Sequence, residues 1–291
     1  MLRGTVLLCA FLGCVFAAPT KPVYDEELAR NKFYPMAAAA YATDPAPCVG
    51  NTFANSTVQR QRTVACDKDT KDDTCSGFTA VSHDDKAIIL SFRGSEGAIQ
   101  LFTEGLEAVA SKRLDFIGGG TVCRYFLDAF DDLWKGGMKD DFMVLRNRYH
   151  TYDVWVTGHS LGGAMATLAA GYLVKTGLVD DDQLKLITFG QPRTGDEAFA
   201  KAHDSQISYT FRVVHKKDIV PHLPPEKFEG YYHHQYEVWY NNNMAVSDSY
   251  SVCGDESNKC SDSKLPNMFS EDHLIYFGIK VHDLTDQTCK R

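Results

Sequence analysis

Beyond its first twenty residues the sequence has no long uninterrupted apolar run, so no later segment is expected to cross a bilayer, which takes about 20 apolar residues. It has no excess of basic residues: 30 Lys and Arg stand against 38 Asp and Glu, a net charge of -8. That balance excludes simple electrostatic binding to nucleic acid or to anionic lipid, so any contact with a lipid surface must be apolar. Repeats, low-complexity tracts and long Pro/Gly/Ser linkers are lacking as well, which argues for one domain rather than a string of modules.

What is present begins with "MLRGTVLLCAFLGCVFAAPT". One basic residue, Arg3, precedes a short apolar run and the small-residue site Val15-Phe16-Ala17, the pattern of a secretory leader. Residues 1–17 are expected to be removed, leaving a single domain over 18–291 that is exported and has a net charge of -9. Nine cysteines occur. Cys9 and Cys14 leave with the leader; Cys48, Cys66, Cys75, Cys123, Cys253, Cys260 and Cys289 remain. In an oxidising compartment seven cysteines suggest three disulfides and one free thiol, with the pairing left open by sequence. Asn55-Ser56-Thr57 is a glycosylation sequon, in keeping with export.

A helical stretch is expected from Tyr24 to Tyr41. The β-rich runs "KAIILSF", "VWVT", "LKLITF" and "YTFRVV" then recur with helix-compatible segments between them. This alternation predicts an α/β protein with a mostly parallel central sheet flanked by helices. After Tyr209, "HHQYEVWY" and "MAVSDSYSV" follow without a helix and are expected to extend the sheet antiparallel.

Gly158-His159-Ser160-Leu161-Gly162 is a G-x-S-x-G pattern, weak as a bare string. Its setting strengthens it: a β-branched run stops at Thr157 and a small-residue helix starts at Gly162. That is a nucleophile elbow, a feature of the α/β-hydrolase fold in which a sharp turn lifts the serine to the carboxyl edge of the sheet. The bland alternative, an ordinary strand–helix turn with a capping serine, does not account for both glycines. A serine hydroxyl needs a base, and on this fold the acid and base follow in the order Asp/Glu, His. Asp218 lies just past a β-rich run; locally it reads equally well as a solvated acid paired with Lys216 or Lys217. Five histidines follow: His222, His233, His234, His273 and His282. Position favours His273, at the head of an amphipathic segment. An oxyanion needs two donors. The Leu161 amide offers one, and Ser95, after "IILSFRG", offers an amide and a hydroxyl, although R-G-S is an equally good plain turn.

Taken together, "FRGS", "VTGHSLGGAMATLAA", "ITFGQPRTGD", "RVVHKKDIVPHLPP" and "DHLIYFG", in this order, resemble the fungal-type, or class 3, lipases from about Tyr24 to the C-terminus. The resemblance implies Ser160 as nucleophile, Asp218 as acid, His273 as base, and Ser95 and Leu161 at the oxyanion hole. It implies disulfides Cys48–Cys289, Cys66–Cys75 and Cys253–Cys260, with Cys123 reduced. It also implies a helical lid in "EGAIQLFTEGLEAVASKRLDF", where Ile99, Phe102, Leu106 and Val109 share one helical face. The expected activity is hydrolysis of triacylglycerol or related acylglycerols at a lipid–water interface. A phospholipase, an esterase for plant-cell-wall or other soluble esters, and a non-catalytic lipid-binding protein are the alternatives. No cofactor is needed for this chemistry, and no metal site is expected: "DKDTKDD" and "VDDDQ" read as solvated loops, and His233-His234 lacks a zinc partner set.

Overall fold

The run "AIILSF" is buried at every position, and its side chains alternate between two hydrophobic clusters. Ile88 and Leu90 join one cluster and Ile89 the other; Val154 and Val156 separate from Trp155 in the same way. A period of two with both faces apolar is the signature of a sheet covered on both sides. The computed structural model describes residues 21–66, 74–94, 112–226, 228–264 and 271–289, and in it these runs form an eight-stranded sheet.

The strands, in spatial and in chain order, are β1 (Ser56–Ala65), β2 (Thr74–Ser82), β3 (Ala87–Phe92), β4 (Asp153–His159), β5 (Leu184–Phe189), β6 (Thr210–His215), β7 (Glu237–Tyr240) and β8 (Ser251–Cys253). β3 to β7 run parallel. β1 and β2 add antiparallel at one edge and β8 at the other. The expectation for the C-terminal part is therefore half right: β8 is antiparallel, but β7 pairs parallel with β6. Among the described residues between β6 and β7 there is no α-helix, yet the 21-residue stretch is long enough for the crossover a parallel pair requires.

Helices Arg124–Leu133, Lys139–Arg148 and Leu161–Lys175 cover one face. The first two are separated by a π-turn at Trp134–Met138, where Gly137 takes φ 120°. The other face carries the N-terminal helical run, Glu26 to Ala39 with a π segment at Ala29–Phe33, and the C-terminal helix Val281–Thr288. Two small sheets lie outside this frame. One joins Arg113–Asp115, Thr121–Cys123, Gly195–Asp196 and Tyr231–Tyr232; the other is a hairpin of Ile275–Tyr276 and Ile279–Lys280.

Disulfides join Cys48 to Cys289, Cys66 to Cys75 and Cys253 to Cys260, and Cys123 is a buried thiol outside these bridges. These are the pairs the resemblance implies. Among the described residues no helix is long and apolar enough to cross a membrane.

Candidate active site

Ser160 sits between the end of β4 and helix Leu161–Lys175 with φ 59° and ψ -130°. L-residues avoid this region, at a cost of roughly 1–3 kcal/mol where the surroundings impose it. Here they do. The Ser160 amide donates to the Phe189 carbonyl at 2.9 Å, and the Ser160 carbonyl accepts from Gly163 at 2.8 Å. A side chain at Gly158 would run into the Gly162 backbone, and one at Gly162 into the Phe92 carbonyl. The two glycines let helix, β3 and β4 close around the turn. Ser160 is fully buried, and its Oγ has no hydrogen-bond partner among the described groups. Leu161 is the first residue of the helix, so its amide has no partner within the helix and lies at the positive end of the helix dipole.

Asp218 follows β6, also at the carboxyl edge, and is fully buried. Its pairing with Lys216 or Lys217 does not occur: the Lys216 ammonium donates to Asn243 at 2.7 Å. Instead Oδ1 accepts the Val220 amide at 2.9 Å, while Oδ2 accepts His273 Nδ1 and the Tyr276 hydroxyl, each at 2.8 Å. Burial pushes the carboxyl up. The His273 charge and hydrogen bond, then Tyr276 and the Val220 amide, outweigh it and hold Asp218 below the usual carboxylate range. An ionised Asp218 only accepts, so His273 Nδ1 carries a hydrogen and Nε2 is left as the basic nitrogen. Nε2 is buried and, like Ser160 Oγ, lacks a partner among the described groups.

The other histidines are engaged elsewhere. His222 Nδ1 meets Asp262 at 3.0 Å, His233 Nε2 the Pro221 carbonyl at 2.7 Å, and His234 Nδ1 the Gln235 carbonyl at 2.7 Å. The His282 ring packs edge-on against Tyr41 at 5.0 Å. Ser95 and the segment holding Ile99, Phe102, Leu106 and Val109 lie outside the described residues. Asn55 is exposed at a bend before β1. Among the described residues no three His, Cys, Asp or Glu side chains group to hold a metal ion.

Residues that sequence reasoning did not single out complete the site. Tyr276 reaches Asp218 because a two-residue turn, Phe277 at φ 53° and Gly278 at φ 81°, folds its strand into a hairpin directly after His273; positive φ at both positions is the mark of a type I′ turn. Gly190, at φ 58°, borders the imidazole: a Cβ there would lie 2.8 Å from His273 Nδ1 and 2.9 Å from Asp218 Oδ2. The sequence offers an aromatic three residues after His273 and a glycine after β5, but neither pattern is distinctive.

The class 3 lipase family model matches residues 89–228. A Caenorhabditis elegans lipase is 36% identical, over 99% of this chain and 90% of its own length. A Fusarium solani protein, secreted mono- and diacylglycerol lipase 1, is 32% identical, over 69% of this chain and 59% of its own length. The solved structure of the Rhizomucor miehei triacylglyceride lipase superposes with a TM-score of 0.76 at 29% identity, covering 90% of this chain and 98% of that one. Elbow, sheet order and relatives agree, and the chain belongs to the class 3 lipases, a family of carboxylic-ester hydrolases with the α/β-hydrolase fold.

Proposed function

We propose that the protein is a secreted acylglycerol lipase in which Ser160, His273 and Asp218 act as a catalytic triad. The observation that carries the reading is a pair of buried atoms that lack a hydrogen-bond partner among the described groups, Ser160 Oγ and His273 Nε2, one on the turn after β4 and the other on the imidazole that Asp218 holds just past β6. Each lacks the partner the other supplies. In the first step Nε2 accepts the serine proton as Oγ attacks the ester carbonyl. The Leu161 amide and Ser95 donate to the oxyanion, each such donor being worth about 10²–10³ in rate. The imidazolium then protonates the departing alcohol, and water releases the fatty acid by the same path. Asp218 stays ionised throughout, fixing the tautomer of His273 and stabilising its cation.

Cleavage of residues 1–17, export of a single domain over 18–291 and a glycan on Asn55 belong to the same reading. The three disulfides suit an oxidising compartment, and the exposed Asn55 side chain is accessible to a transferase. The Fusarium solani and Rhizomucor miehei relatives act on acylglycerols by name, which favours that substrate class over phospholipids and soluble esters. Ser160 has no exposed surface, so the ester reaches it only after covering groups move aside.

Two measurements test the reading. Hydrolysis of dispersed triacylglycerol, phospholipid and a short soluble ester is compared at equal enzyme concentration, and the acylglycerol is expected to turn over fastest. Ser160→Ala is expected to abolish fluorophosphonate labelling with the melting curve intact. Labelling that persists rejects the nucleophile.

A further inference from the structure

His159, the residue before the nucleophile, is 1% exposed, and both of its ring nitrogens are engaged. Nε2 lies 2.8 Å from the backbone carbonyl oxygen of His273, and Nδ1 lies 2.8 Å from the Tyr41 hydroxyl. A carbonyl oxygen can only accept, so Nε2 carries a hydrogen. A tyrosine hydroxyl can donate, so Nδ1 can remain bare and take the Tyr41 hydrogen. Both contacts are satisfied by one neutral tautomer.

The groups around the ring favour that neutral state. Burial disfavours the cation, and the His273 and His282 rings oppose it; the His273 carbonyl and the Asp218 carboxylate favour it but do not prevail, and the ring is pushed down to about 3. Tyr276, which also faces the ring with centroids 5.9 Å apart, is held neutral: burial first, then the charge and hydrogen bond of Asp218, raise its hydroxyl well above the usual value.

The contacts join distant parts of the chain. Tyr41 follows the N-terminal helical run, and a side chain at Gly94, just past β3, would strike its hydroxyl. His159 ends β4. His273 is the buried residue of the four-residue helix Glu271–Leu274. Its ring is hydrogen-bonded to Asp218, borders Gly190, and lies tilted against the His159 ring with centroids 4.5 Å apart.

Building on the triad reading, we propose that Tyr41 and His159 are positioning residues, a strut of fixed tautomer that holds the backbone of His273 and so sets the reach of its Nε2 toward Ser160. Neither makes a hydrogen bond to Ser160 Oγ or to His273 Nε2. The strut ties the base to the same turn that presents the nucleophile, so both reacting groups shift together if the edge of the sheet moves.

The test uses the full oxidised chain with ¹⁵N-labelled histidine. Two-bond ¹H–¹⁵N spectra are expected to show His159 with hydrogen on Nε2 and no titration between pH 5 and 9. Hydrogen on Nδ1, or a titration in that range, overturns the proposal. In kinetics, His159→Phe is expected to lower kcat by about 10²-fold, the scale of a ~1 Å misplacement, with KM unchanged. His159→Gln, which can donate to the carbonyl and accept from Tyr41, recovers most of the rate. An equal loss in both variants overturns the strut. Should His159→Phe fail to fold, Tyr41→Phe decides: kcat falls about tenfold at constant KM, with an altered pH profile of kcat/KM, or the proposal is wrong. Fluorophosphonate labelling separates the two readings. Wild-type protein that resists the probe sinks the triad whatever the tautomer, whereas labelled wild type with unchanged kcat in Tyr41→Phe sinks the strut alone.

Discussion

The Tyr276 hydroxyl and His273 Nδ1 meet on one oxygen of Asp218, each at 2.8 Å. Two donors on one oxygen draw the negative charge to the side facing the imidazole, and the Val220 amide occupies the other oxygen. The carboxylate has no freedom to turn.

Tyr276→Phe removes one of these donors. A hydrogen bond to a charged group contributes about 1.5–3 kcal/mol, so a lower melting temperature is expected. The pH dependence follows from Asp218, whose folded-state pKa lies below its unfolded value. Its stabilising contribution is present above the unfolded value, near 4, and is lost as pH falls through the folded value. Without Tyr276 the folded value rises, so the acid loss of stability and activity sets in at higher pH. Coincident acid limbs for wild type and variant would contradict this.

Ser160→Gly separates stability from function. Glycine accepts φ 59° with ψ -130° without the strain that serine carries. Unfolding in urea is expected to show a gain of about 1 kcal/mol or more, while ester hydrolysis and probe labelling vanish. A variant less stable than wild type would mean that the turn is not strained.

Gly190→Ala places a methyl group where the His273 ring and Asp218 lie, in a backbone conformation that alanine dislikes by roughly 1–2 kcal/mol. A displaced imidazole lowers kcat, by about 10²-fold for a shift near 1 Å. Circular dichroism should still report the fold. Full activity would show that the imidazole has room to spare.

Asp204 offers a pH test away from the site. Burial first, then the Asp255 charge, push its carboxyl up to about 6, against the hydrogen bond from the Gln235 amide. Between its unfolded value near 4 and 6 the folded state binds the extra proton, so this residue makes stability fall as pH rises through that window. Asp204→Asn is expected to flatten the fall and to melt higher than wild type at pH 7. Parallel stability–pH curves would rule it out.

The sheet was legible because both of its signals are local. The short β-rich runs "AIILSF" and "VWVT", with a break at each end, mark β3 and β4 without knowledge of their neighbours. The elbow was legible for the same reason: its two glycines, strand and helix are contiguous. Asp218 and His273 were not, since an acid beside two lysines and one histidine among five carry no local mark of their contact across 55 residues; the family resemblance supplied it. Tyr276, Gly190 and the Tyr41–His159 contact were missed because each depends on tertiary closure. The direction of β7 was misjudged from the absence of a helix before it, although a crossover requires only length.

The bridge between Cys48 and Cys289, 241 positions apart, makes nearly the whole domain one covalent ring. A protease that cuts once anywhere inside that ring opens it but releases nothing. The nicked molecule migrates as a single species until a reductant is added, and only then separates into two fragments.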